Sequence, residues 1–167
     1  MEFLGHNLGR LADFSGRDPR RVFWPYVGVV VLLMMIVMGA GNMIAVSLLI
    51  PATVEQDFPD LGGLVLLMGA EIVAVVALLA AAVARRLHDT GRKAFWGLAP
   101  LPFLAFGLGG FYVAIHNLDA PPPGIEGLFF AMIFNNLLYL AALTLLIVLL
   151  AQPSQAETSR YGEPPAV

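Results

Sequence analysis

This chain reads as an all-α polytopic membrane protein: four transmembrane helices in a small bundle, with the N and C termini both cytoplasmic. Three observations carry that expectation. Hydrophobic residues fill 59% of the 167 positions and charged ones 13%, more apolar surface than a chain of this size buries in a water-soluble core. Four apolar runs each exceed the roughly 20 residues that cross a hydrocarbon core of about 30 Å. All nine Lys and Arg fall before Val22, between Arg85 and Lys93, or in the C-terminal tail, and basic residues collect in the cytoplasmic links of membrane proteins. In lipid only helices and closed barrels satisfy their backbone groups, and continuous apolar runs of this length are helices.

Residues 1–21 form a cytoplasmic segment in which Leu4, Leu8 and Leu11 recur at helical spacing, the pattern of a short helix lying on the inner leaflet. The membrane domain, 22–151, opens with Phe23, Trp24 and Tyr26, of which Trp24 is an interfacial anchor, as Trp96 is beside Phe95 at the start of the third span. Span one covers about 27–50 and stops before Pro51, which cannot continue a helix. The link that follows holds Glu55, Asp57 and Asp60 with no Lys or Arg, which places it outside. Span two, about 61–84, ends at Arg85 and Arg86. It carries Ala70, Ala74, Ala77, Ala81 and Ala84 on one face, a stripe that permits close helix contact within the bundle or between protomers. Span three, about 94–115, is anchored by Phe95 and Trp96 and should bend or unwind at Pro100 and Pro102. Asp119 and Glu126 flank a Pro-rich outer turn, span four covers about 127–151, and 152–167 is a cytoplasmic tail.

Composition narrows the chemistry. Cysteine is absent, which removes disulfides, thiol catalysis and thiolate metal sites. The net charge of −3 reflects acids and bases sorted to opposite sides rather than an acidic surface, and there is no basic footprint for nucleic acid. The first apolar run is too long and begins too late for a cleaved signal peptide.

Within the membrane, depth counting at about 1.5 Å per residue puts Asn42, Glu71, Asn135 and Asn136 in one layer. Gly107, Gly109 and Gly110 of span three lie at the same level, where missing side chains let a neighbour approach. An intramembrane Glu is costly and marks a functional candidate, with an Asn as its partner and Tyr139 one turn deeper. The competing reading is a protonated Glu71 that only bridges helices.

The inner lip holds Arg85-Arg86-Leu87-His88-Asp89-Thr90-Gly91-Arg92. As local structure this is a helix C-terminus: cations complement the dipole, Asp89 reaches back to Arg85, and Gly91 supplies the left-handed residue. As chemistry it offers a His–Asp pair beside enough Arg to hold a phosphate or headgroup, with Arg17, Arg20 and Arg21 at the same height. His6 and His116 sit elsewhere, so no metal or other cofactor is expected. Ser15-Gly16-Arg17 before Phe23-Trp24 and Thr90-Gly91-Arg92 before Phe95-Trp96 form a weak repeat. Duplication of a helical hairpin explains it, and so does the tendency of inward-anchored helices to collect Arg and Trp.

Ser-Gly-Arg with Arg21 and Phe-Trp before span one, Arg-Leu-His-Asp-Thr-Gly-Arg with Phe-Trp after span two, and Arg160-Tyr161-Gly162 with Pro164 in the tail resemble the domain-of-unknown-function 805 family of bacterial inner-membrane proteins. Lys93-Ala94 and Ser159 depart from the family's usual residues. The resemblance implies a small multi-pass protein of the bacterial cytoplasmic membrane without assigned activity. It also draws Arg17, Arg21, Arg85, Arg86, His88, Asp89, Gly91, Arg92, Arg160 and Tyr161 together as a motif at the cytoplasmic lip. The leading functional reading is an accessory or regulatory component that binds membrane lipids or a membrane-protein partner there, alone or as a homo-oligomer. Its rivals are an oligomeric proton, cation or small-solute transporter using Glu71 and the Asn layer, and a membrane-embedded enzyme using His88 and Asp89. No residue is assigned as catalytic, and the expectation leans away from an enzyme.

Overall fold

The computed structural model describes residues 2–53, 62–117, 120–158 and 161–163. Glu55, Asp57, Asp60, Asp119 and Arg160 lie outside them. The fold is all-helical with no strands among the described residues. A short helix α1 (Glu2–Leu8) precedes α2 (Arg20–Thr53) and α3 (Gly62–Asp89). A 3-10 helix (Ala94–Leu98) then leads into α4 (Leu101–His116) and α5 (Ile125–Ala151). Four segments are long and apolar enough to cross a membrane: α2 as far as Leu48, α3, the 3-10 helix with α4, and α5. This is the architecture of an integral membrane protein.

The chain pairs α2 with α3 and α4 with α5, and α3 carries the contact between the two hairpins. The core gathers near the end where the arginines lie: Phe23, Tyr26, Val30 and Met34 of α2 meet Ala82 and Leu87 of α3 and Leu146, Leu149 and Leu150 of α5. Toward the opposite end most apolar side chains are open, as lipid-facing residues are.

The third span is broken where the prolines predict. Pro100 is the N-cap of α4, Pro102 stands in its first turn, and the five residues before the break are 3-10 rather than α. Proline is tolerated at a helix start because its missing N–H would be unmatched there anyway. Pro51 behaves otherwise than expected, since α2 runs through it to Thr53. A proline in the last turn forgoes one intrahelical bond close to the end, and the helix has little left to lose.

One packing expectation needs correction, and the structure sorts two other sets of residues by face. Leu4 does not lie on the leaflet with Leu8 and Leu11; α1 turns Phe3 and Leu4 onto the core, buries Asn7 and leaves Leu8 and Leu11 exposed. Phe23 and Tyr26, which open the first span, are core residues, the Tyr26 hydroxyl donating to the Leu78 carbonyl at 2.8 Å. Trp24, Phe95 and Trp96 are exposed at this level. Of the alanine stripe, only Ala81 and Ala84 are buried in the bundle, while Ala70, Ala74 and Ala77 face outward.

Candidate functional site: a buried ionic knot at the arginine-bearing end

The C-terminus of α3 is where the motif residues converge, and its backbone explains why. Gly91 takes φ +74°. Arg92 N–H donates to the Leu87 carbonyl at 2.8 Å and Gly91 N–H to the His88 carbonyl at 3.0 Å, the paired bonds of a Schellman termination. A side chain at position 91 would be strained by that φ and would also run into the Gln155 side chain, 2.1 Å from where a Cβ would sit. Glycine is required there twice over.

Two arginines on adjacent positions of α3 then point to different partners. Arg85, fully buried, donates from Nε to Asp18 Oδ2 at 2.7 Å and from Nη2 to Asn7 Oδ1 at 2.7 Å. Its Nη1 reaches the carbonyls of Arg10 and Asp13. The other Asp18 oxygen pairs with His6 Nε2 at 2.9 Å. Arg86, also fully buried, pairs with Asp89 and donates to the carbonyls of Leu150 at 2.9 Å and Gln152 at 2.6 Å. Arg20 reaches the Ala151 and Gln152 carbonyls, so two arginines occupy the acceptors that the end of α5 leaves unmatched, where cations also oppose its dipole.

Asp89 is the hub. Its Oδ1 accepts from Arg17 Nε at 3.2 Å, and its Oδ2 accepts from Arg86 and from the Ser154 hydroxyl. Arg17 goes on to the tail, donating to the carbonyls of Gln155, Glu157 and Gly162. His88 places Nδ1 3.3 Å from the Gly16 carbonyl and stacks on Tyr161, ring centroids 3.8 Å apart. Arg92 donates to Gln152 Oε1 at 3.1 Å. The expected Asp89–Arg85 pair is therefore not the one formed. Asp89 takes Arg86 one turn back and Arg17 from the N-terminal segment, and Arg85 takes Asp18. The His–Asp pairing likewise gives way, with His88 directed to Gly16 and Tyr161.

The N-terminal approach to the knot is prepared locally. Asp13 accepts the Ser15 N–H at 2.9 Å and the Ser15 hydroxyl, and pairs with Arg10 at 2.8 Å. The Ser15 hydroxyl and N–H, then Arg10, hold its carboxyl well below the usual carboxylate range. This turn feeds Gly16 at φ +82°, which aims Arg17 inward. Gly16-Arg17 and Gly91-Arg92 thus share a left-handed glycine and an arginine that reaches the C-terminal segment. Arg21 stands exposed on the first turn of α2.

The intramembrane residues come together only in part. Asn42 Nδ2 donates to Glu71 Oε2 at 3.2 Å and to the Met38 carbonyl at 2.8 Å, bridging α2 and α3. Glu71 is buried, and Asn42 Oδ1 is buried without a hydrogen-bond partner among the described residues. Asn135 donates instead to the Phe103 carbonyl of α4 at 2.9 Å, beside Gly107. Asn136 is exposed toward lipid. Tyr139 lines an apolar cavity of about 360 Å³ between α3, α4 and α5 rather than extending a polar network.

The knot's partners Asp18, Asn7, Gln152, Ser154 and Gln155 were not singled out in the sequence, and His6, expected to sit elsewhere, joins the knot through Asp18 because α1 folds back over the end of α3. Asp18 carried one usable signal, an acid directly after Arg17 in an arginine-rich stretch; the tail residues carried none.

Against known families, the model described as a protein of unknown function (DUF805) matches residues 11–163. The chain belongs to this family. The match starts at the segment that precedes Asp13 and ends just past Tyr161, so it takes in both strands of chain that close over the end of α3. No curated protein and no solved structure matches.

Proposed function

We propose that this DUF805 protein is a non-catalytic component of the bacterial cytoplasmic membrane, accessory or regulatory, with both termini inside. It engages lipid headgroups or a partner protein on its arginine-bearing face. The observation that carries this is the commitment of Arg17, Arg85, Arg86 and Asp89 to partners within the chain. A phosphate-binding or acid–base centre keeps donors open to its substrate, whereas these groups clamp α1, the end of α3 and the tail into one platform. Binding then falls to what the platform exposes, Lys93 first, and to Leu8, Leu11 and Phe14, which the N-terminal segment also leaves exposed.

Asp89→Asn separates the readings. Catalytic groups are commonly held at a cost to stability, so replacing one leaves a protein as stable or more so. A knot residue does the reverse. The expected result is a clear fall in melting temperature in detergent, and an Asp89→Asn variant as stable as the native chain would overturn the proposal. Orientation is tested by impermeant maleimide labelling of intact cells, because the chain has no cysteine of its own. Thr158→Cys should be protected and Pro122→Cys labelled.

A second reading, transport, draws on the buried unpartnered Asn42 Oδ1 beside Glu71. Glu71→Gln in proteoliposomes tests it, and proton flux equal to that of the native chain would remove it.

A further inference from the structure

The cavity of about 360 Å³ lies wholly in the arginine-bearing half of the bundle. Its volume falls within the roughly 300–1,000 Å³ of small-ligand sites. Its walls are apolar: Val75, Leu79 and Val83 of α3, Leu104 of α4, and Leu143 and Leu146 of α5. From Val75 to Arg85 is ten residues, about 15 Å of helix, which is half of a hydrocarbon core of about 30 Å. The groove is one leaflet deep. Residues on both sides of the break in the third span line it, Ala94, Phe95, Gly97 and Leu98 before Pro100 and Leu101 and Leu104 after it, and Gly97 lets the 3-10 helix approach Val83 closely.

The wall is open on one side, where Phe95 and Leu98 are 73% and 52% exposed. In a membrane that opening faces acyl chains, not water. At the headgroup end, Ala94 lines the groove, and Lys93 just before it is exposed with no ion pair among the described residues. Every other cation on α3 and its following turn is engaged within the chain, as Arg85, Arg86 and Arg92 show.

We propose that this groove seats one acyl chain of an anionic phospholipid from the arginine-side leaflet, with Lys93 contacting the phosphate of its headgroup. An apolar slot of single-leaflet depth matches an acyl chain, and a lone ammonium at its mouth selects negative charge. The inference deepens the binding reading above and rests on it, since the two share Lys93; an empty groove would leave the Asp89 test unchanged, so the two fail separately.

The experiment uses the full chain in mild detergent, with dioleoyl phosphatidylglycerol and dioleoyl phosphatidylcholine as probes. Native mass spectrometry counts the lipids retained, and melting temperature reports stabilisation. The native chain should hold one phosphatidylglycerol in preference to phosphatidylcholine and melt higher with it. Ala80→Phe, which fills the groove, should lose that lipid, and Lys93→Gln should keep a lipid but discriminate at least tenfold less. Leu98→Trp, which blocks the open rim without adding bulk to the core, gives the same reading should Ala80→Phe fail to assemble. A filled or blocked groove that holds phosphatidylglycerol as the native chain does overturns the proposal. So does a native dimer, free of lipid, that Ala80→Phe splits, because the groove would then belong to a second copy of the chain.

Discussion

The ionic knot and the intramembrane pair are both polar sites shielded from water, yet they are built in opposite ways. In the knot, Asp18 and Asp89 each meet two or more donors, and these draw on α1, α3 and the tail. Midway along α2 and α3, Glu71 has one amide for a partner among the described residues, from the adjacent helix alone, and that amide's oxygen is unmatched there. A buried charge is tolerable when its pairing is complete. The knot meets that condition and so can hold distant segments together; the Glu71–Asn42 pair joins two helices that already pack against each other.

The contrast is broken most severely at Asp18. Asp18→Ala strands the guanidinium of Arg85 in a fully buried position, and losing one member of such a pair costs about 3–5 kcal/mol. Unfolding in detergent should show this, and α1 should become protease-sensitive as His6 and Asn7 lose their anchor. Gly91→Ala comes next. A non-glycine left-handed residue costs about 1–3 kcal/mol, and displacement of Gln155 adds to it. The same substitution in a Gln155→Ala background should recover the steric part only. Gly16→Ala should cost less, since its added Cβ would meet only the end of the flexible Arg10 side chain at 3.3 Å.

On the other side of the comparison, Asn42→Ala should cost under about 1 kcal/mol, as polar contacts between membrane helices average about 0.6 kcal/mol. A loss as large as that for Asp18→Ala would erase the distinction between the two sites. The smallest effect is acid release of the Asp13 turn. Its carboxyl is depressed in the folded chain from an ordinary value of 3.8, so its contribution is fully present above that value. It is lost as the pH falls toward the folded value. The protection factor of the Ser15 amide should therefore be steady through neutral and mildly acidic conditions and fall only in strong acid. In Asp13→Asn it should be lower at neutral pH and converge on that of the native chain in strong acid.

Much of the fold is legible in the residues. Four apolar runs became four candidate spans, Pro100 and Pro102 broke the third, and Gly91 ended α3 in a left-handed turn. Each follows from composition or backbone restriction acting over a few neighbours. The sites are legible as membership and not as pairing: the arginines and acids of the lip are visible, but Asp89 had a local candidate in Arg85 and took Arg86 and Arg17 instead. Asn135 shares a depth with Glu71 yet bonds to Phe103, because depth along a helix says nothing of which way the helix is turned.

The sequence by itself determined what crosses the membrane, where each helix must stop and on which face its cations gather, since hydrophobic length, proline and glycine act on their immediate surroundings. Only the tertiary structure decided which acid meets which arginine. Arg85 and Asp18 are 67 residues apart and Arg17 and Asp89 are 72 apart, and such pairs form only once α2 and α3 are in register and the tail has folded across them. That docking turned a row of free-looking cations into a closed clamp and left Lys93 at the mouth of the groove.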